Sequence, residues 1–219
     1  MSFHKCQIFY GKRKLLPLPL HHIRVEAPFQ QWGLDFIGEI HPSSQAQHKW
    51  ILIATDFFTK WIEAIPSRNA NDSVIIKFLE TNILSRFGCP RKIITDNDVA
   101  FKSKRMVDFC YKYHITLGHS TANYPQGNGL AESSNKSLIN IIKKLLEQNQ
   151  KSWHSKLVHA LWADRLTTKK SINMSPYQLV YGMDAVFPTS LGVPVIKLLQ
   201  EVQVEENDMQ RRINQTIHL

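Results

Sequence analysis

The sequence predicts an α/β fold built on a mixed sheet. Three short apolar runs come first. The second and third are joined by a connection tight enough for an antiparallel hairpin. Strand and helix patterns then alternate to residue 170. Antiparallel strands followed by strand–helix alternation call for a sheet with both pairing modes and helices packed on it.

Each element follows from local chemistry. Trp32-Gly33-Leu34-Asp35-Phe36-Ile37-Gly38 is a short apolar run bounded by glycine, a strand. Trp50 to Thr55 is continuously apolar, as a strand buried on both faces must be. Lys60 to Ile65 is a third strand, closed by Pro66, and Asp56-Phe57-Phe58-Thr59 links it to the second. Asn71 or Asp72 caps a helix that runs through Phe87 and stops at Gly88 and Pro90. Its apolar positions Val74, Ile75, Phe78, Leu79 and Ile83 keep helical spacing. Arg91 to Thr95 is a fourth strand, Lys104 to Tyr113 a helix, and His114 to Leu117 a fifth strand. A polar loop spans 118–129. A long helix runs from Leu130 to Gln148 with Leu138, Ile141, Ile142, Leu145 and Leu146 on its apolar face, and another from Ser152 to Lys170.

Composition narrows the function. The 219 residues suit one good-sized domain, and 43% hydrophobic with 21% charged residues exclude general disorder. No stretch of eighteen apolar residues exists, so no membrane span is expected, and the first residues lack the apolar core of a secretory signal. Three cysteines, Cys6, Cys89 and Cys110, cannot frame a disulfide scaffold, so a reducing compartment is the default. The net charge of +9 is unevenly placed: residues 99–170 carry +8 and residues 1–25 carry +5, whereas 26–98 carry −2. A basic block of that size suits a polyanionic partner.

Three acids stand out by position. Asp35 lies in an apolar strand, Asp96 directly follows one, and Glu132 lies in the first turn of the long helix. Singly, each has an ordinary reading: a solvent-facing strand acid, a turn residue, a helix-start acid favoured by the dipole. Together they suggest converging carboxylates whose repulsion is offset by a divalent cation, a set suited to phosphodiester chemistry. The loop before Glu132 has a rigid Tyr124-Pro125 corner, then Gln126, and hinges at Gly127 and Gly129, so it can close over a substrate. On the long helix Asn128, Glu132, Asn135, Lys136 and Lys143 fall on one side, and the lysines there form either a solvated face, with a weak Glu132–Lys136 pair, or a surface for a polyanion. Asp98 reads as turn chemistry. His154 and His159, five apart on a helix, lack ligand spacing.

The run 32–38, then Ile94-Thr95-Asp96-Asn97, then Tyr124-Pro125-Gln126-Gly127-Asn128-Gly129-Leu130-Ala131-Glu132 resembles the catalytic core of retroviral-type integrases, nearest to those of Ty3/gypsy-class LTR retrotransposons of plant type. Sixty residues lie between Asp35 and Asp96, and thirty-five between Asp96 and Glu132, the spacing of that family's acidic signature. Ser175 to Gly182 resembles a further landmark, and the likeness covers roughly residues 17–197.

The resemblance implies an RNase H-like fold: a mixed five-stranded sheet with flanking helices. It implies two Mg²⁺ (or Mn²⁺) ions held by Asp35, Asp96 and Glu132. It implies 3′-end processing and strand transfer on double-stranded DNA, both element ends and target, by a homo-oligomer working in the nucleus. It divides the chain into a 1–26 arm, a 27–186 catalytic core and a 187–219 linker and helical tail. The arm reads as a truncated zinc module: Cys6 matches its second cysteine, but Phe3 stands where the first belongs, so no zinc is expected. Two alternatives stay open. One is a catalytically silent or domesticated nucleic-acid-binding protein derived from an integrase. The other is a ribonuclease H, although a fourth acid is not evident.

Overall fold

The computed structural model describes residues 25–120, 129–146 and 149–186, with only the backbone of 129–133. The expectations for the arm before residue 25, for Tyr124, Pro125, Gln126, Gly127 and Asn128, for the Glu132 side chain and for the tail beyond residue 186 lie outside the described residues.

Five strands form one sheet in the order β3-β2-β1-β4-β5. They are β1 (Gln31–Ile37), β2 (Trp50–Asp56), β3 (Ile62–Ser67), β4 (Lys92–Thr95) and β5 (Thr116–His119). β1, β2 and β3 run antiparallel in turn, while β4 is parallel to β1 and β5 parallel to β4. The sheet is therefore mixed, as expected. β2 is buried along nearly its whole length, in keeping with its continuous apolarity.

Pro66 does not close β3. It lies inside the strand, opposite Ile51. β3 is an edge strand, and there a residue without an N–H is tolerated on the unpaired side. β5 begins two residues later than expected because His114 takes a left-handed conformation (φ 55°) as the preceding helix ends.

The helices pack on both faces. Helix α1 (Asp72–Phe78) is capped by Asn71, whose side chain accepts from the Val74 N–H. It widens into a π-helical stretch at Leu79–Leu84 and closes with an α turn at Ser85–Phe87, before Gly88 at φ 82°. α2 (Lys104–Lys112) follows a 3₁₀ turn at Val99–Lys102. α3 (Gly129–Leu145) is the long helix, and α4 (Trp153–Leu166) packs beside it. α4 stops four residues short of Lys170: Thr167 turns extended, and Lys169 pairs across a short bridge with Met174. α5 (Pro176–Tyr181) is an additional helix. Ser175 and Gln178 form a reciprocal capping box at its start, and Gly182 ends it in the left-handed region.

Strand alternation sorts the core into two layers. Trp32 and Leu34 of β1, Leu52 and Ala54 of β2 and Ile93 of β4 face α1 and α2, packing on Ile75, Phe78, Leu79, Met106 and Phe109. Ile37, Ile51, Ile53, Ile62 and Ala64 face α3 and α4, packing on Leu138, Ile141, Ile142, Trp153 and Leu157. Among the described residues no helix is long and apolar enough to cross a membrane.

Candidate active site

Strand parity fixes where the acids point. Asp35 stands two residues before Ile37 in β1, so it shares the face covered by α3 and α4. The β1–β4 ladder pairs Trp32 with Ile93 and Leu34 with Thr95. One further step brings Asp96 beside Asp35, about one strand spacing (~4.8 Å) away across the sheet. Trp32 and Ile93 share the opposite face. The parity that turns Asp35 toward α3 therefore continues to Asp96. Both acids are half-buried at the end where parallel strands β1 and β4 finish.

Each carboxylate is oriented by a neighbour. Asn135 of α3 donates its Nδ2 to Asp35 Oδ2 at 2.6 Å. The Asp98 N–H donates to Asp96 Oδ1 at 3.0 Å. Asp98 in turn accepts from the Ala100 N–H (2.8 Å) and caps the 3₁₀ turn, so its role is the turn chemistry expected of it. The backbone around Asp96 is stapled to β5. The Thr95 hydroxyl donates to the Asp96 carbonyl (2.9 Å), and His119 Nδ1 lies 2.9 Å from that hydroxyl. Asn97 Nδ2 donates to Ser120 O at 2.7 Å, so the turn bearing Asp96 is tied to the segment that leads into the loop.

Helix α3 carries the rest. Glu132 lies in its first turn, three residues before Asn135. Asn135 is a correction to the expected DNA-facing side: it is 9% exposed and turned inward onto Asp35. A helical wheel gives an angle but not a depth. Here α3 approaches β1, so the turn holding Ser134 and Asn135 is buried. Lys136 and Lys143 are exposed. Lys143 also lines a largely apolar cavity of about 530 Å³ with Ile37, Ile139, Ile142, Leu146 and Trp153.

Other acids do different work. Asp56, fully buried, accepts from the Phe29 N–H, the Thr59 N–H and the Thr59 hydroxyl, and burial still holds its carboxyl above the usual range. Glu63 takes Arg86 and Arg165 at 2.8 and 2.9 Å and the Trp61 indole N–H at 2.8 Å. Asp164 takes Lys169 (2.6 Å) and Ser137 (3.0 Å), fastening α4 to α3. Cys110 is buried, which pushes its thiol up to about 11, and it is inert at neutral pH. Sequence reasoning did not single out Glu63 or Asp164. Glu63 stands in a strand, and its partners come from 23 and about 100 residues away.

A family model described as integrase core domain matches residues 25–125. The Gag-Pol polyprotein of avian reticuloendotheliosis virus is 33% identical over 161 residues, covering 74% of this chain and 14% of the polyprotein. The Pro-Pol polyprotein of simian foamy virus type 3 (strain LK3) is 27% identical over 184 residues, covering 84% of this chain and 16% of the polyprotein. The chain thus spans about a sixth or less of these relatives. Among solved structures, the HTLV-2 integrase catalytic core domain in complex with magnesium (trimeric form) superposes with a TM-score of 0.56 at 26% identity, over 71% of this chain and 98% of that one. A simian T-cell lymphotropic virus intasome in complex with PP2A regulatory subunit B56 gamma gives 0.61 at 21% identity, over 75% and 58%, a likeness of fold. The fold is RNase H-like.

Proposed function

The chain belongs to the retroviral-type integrase catalytic cores, and from that premise we propose that it cuts and joins DNA by metal-dependent phosphodiester transfer. The observation that carries this reading is the register that sets Asp35 beside Asp96 on the face covered by α3.

The donor set fits a divalent cation. Two carboxylates in neighbouring register repel, and a hard cation with oxygen ligands relieves that cost. Asp35, Asp96 and Glu132 would hold two Mg²⁺ or Mn²⁺ ions. Such ions supply Lewis-acid stabilisation of phosphodiester oxygens and make the attacking oxygen more acidic. The chain's own residues do the rest. Asn135 and the Asp98 N–H fix the carboxylates before substrate arrives. Lys136 and Lys143 meet backbone phosphates without reading sequence. The loop containing Tyr124, Pro125, Gln126 and Gly127, with Asn128 at its end, closes over the DNA end and keeps bulk water from competing.

The substrates are double-stranded DNA ends of an LTR retrotransposon and a DNA target. The first reaction is 3′-end processing by water, and the second is strand transfer by the DNA 3′-hydroxyl. One solved relative is an intasome and another a trimeric form, which supports a homo-oligomer here. Work on chromosomal DNA places the protein in the nucleus.

A strand-transfer or disintegration assay on oligonucleotides with Mg²⁺ or Mn²⁺ tests the reading. Joined products are expected from the native sequence and none from Glu132→Gln. DNA binding without metal-dependent cutting or joining would instead leave a non-enzymatic binding protein. Cutting confined to RNA–DNA hybrids would leave a ribonuclease H.

A further inference from the structure

Asp96 has little regular structure to hold it. It follows β4, a strand of four residues. The outer neighbour of β4 is β5, also four residues long and at the edge of the sheet. A ladder that short has few hydrogen bonds to resist fraying. Both strands end at the same level, because Thr95, the last residue of β4, pairs with His119, the last of β5. Side chains close the ladder at that point.

Parity puts this closure on the side of the sheet away from the Asp96 carboxylate. Thr95 pairs with Leu34, and Ile93 pairs with Leu117. Leu34, Ile93 and Leu117 all pack in the layer beneath α1 and α2. The Thr95 and His119 side chains therefore stand on that face, while the Asp96 carboxylate turns toward α3.

Three polar groups meet there. The Thr95 hydroxyl donates to Asp96 O at 2.9 Å. His119 Nδ1 lies 2.9 Å from that hydroxyl and 3.3 Å from the same carbonyl. The hydroxyl has one hydrogen, and the carbonyl takes it. A carbonyl oxygen only accepts. A bare Nδ1 would therefore face two oxygens with no hydrogen between them, whereas Nδ1–H satisfies both contacts. The ring is held with hydrogen on Nδ1, and Nε2 is the bare nitrogen whenever the imidazole is neutral. We infer that His119 is a positioning residue for Asp96. Through Nδ1–H it fixes the Thr95 hydroxyl and the Asp96 carbonyl, and so the direction in which the carboxylate leaves the end of β4. The same closure reaches the loop. Ser120, next in the chain, donates its N–H to Thr95 O at 2.8 Å and accepts from Asn97 Nδ2 at 2.7 Å. The inference rests on the proposed cation site and adds a residue that sets its geometry from the opposite face.

Two measurements on the whole chain test it. Long-range nitrogen–proton NMR spectra read the tautomer of each imidazole. Hydrogen on Nδ1 of His119 is expected, the signal being identified by its loss in His119→Asn. Hydrogen on Nε2 alone overturns the inference. The second measurement is Mn²⁺ binding without DNA, followed by the EPR signal of the free ion. His119→Leu removes the donor and is expected to weaken binding about 10-fold, the low end for losing a group that orients a metal ligand, because it acts through the backbone. His119→Asn places an amide N–H where Nδ1 stood and should bind Mn²⁺ as the native chain does. A side chain that only filled space would show no such rescue. Native affinity in His119→Leu, or an equal loss in both variants, overturns the positioning role and leaves the cation site intact. A native chain that binds no Mn²⁺ overturns the cation site and this inference with it.

Discussion

Two regions of this molecule gather carboxylates, and they do so in opposite ways. At the end of β1 and β4, Asp35 and Asp96 are half-buried, side by side, each held by a neutral donor: an amide at Asp35 and a backbone N–H at Asp96. On the seam between β3 and α4, Glu63 and Asp164 are buried, and each is matched to cations: Arg86 and Arg165 for Glu63, Lys169 for Asp164. Arg165 also donates to Ile62 O and lies over the Trp61 ring at 4.4 Å from the centroid, so the seam is a closed network. In the first region the carboxylates are half-buried and stand in adjacent register at the end of two parallel strands. In the second the charge is cancelled within the protein. Half-buried carboxylates in adjacent register suit a cation-dependent site, and fully buried carboxylates matched to arginine and lysine suit a structural seam.

The sharpest way to break this contrast is to neutralise one acid in each region. Asp35→Asn should take strand transfer below detection and leave thermal melting near native. A variant that unfolds instead would make Asp35 a structural acid. The reverse pattern is expected at the seam. Glu63→Ala strands two guanidinium groups, one of them largely buried, and should cost about 3–5 kcal/mol in urea unfolding with an unchanged m-value. A loss under 1 kcal/mol would mean that the network is dispensable.

Asn135 lies between the extremes: it is buried and uncharged, and it donates to Asp35. Asn135→Ala should lower strand-transfer activity about 10- to 100-fold, the usual cost of losing a group that orients a metal ligand. A change in DNA affinity with a native turnover would return Asn135 to the DNA-facing side. The smallest effect concerns His48, beside the seam-side helix α4. Burial first, then the positive charges of His154 and Arg68, hold its imidazole below the ordinary value. Its contribution to stability is therefore full above the unfolded value near 6.5 and is lost as pH falls through the folded one. His48→Gln should flatten that part of the decline in melting temperature between neutral and mildly acidic pH. An unchanged pH profile would put the titrating group elsewhere.

The contrast was only half legible in the sequence. Asp35 and Asp96 could be picked out because each interrupts or follows an apolar run, and strand parity then carried both to the same face. The mixed sheet was legible for the same reason: period and apolarity are local. What escaped depends on distance. Asn135 sat on the right side of the wheel, but only the approach of α3 to β1 shows that it is covered. Glu63 looked like an ordinary strand acid until Arg86 and Arg165 arrived from two other elements. Pro66 reads as a strand end locally, and the edge position that tolerates it is a property of the whole sheet. The capping box at Ser175 and Gln178 was a local signal for α5, and the S-x-x-Q spacing could have placed it.

The central claim is that Asp35 and Asp96 form one cation-binding site with Glu132. Anomalous scattering from crystals soaked in Mn²⁺ tests it most directly. The account predicts a peak within coordination distance, about 2.0–2.6 Å, of oxygens from both Asp35 and Asp96, and its loss in Asp96→Asn. A peak bound elsewhere, or one that survives with Asp96 replaced, would contradict it.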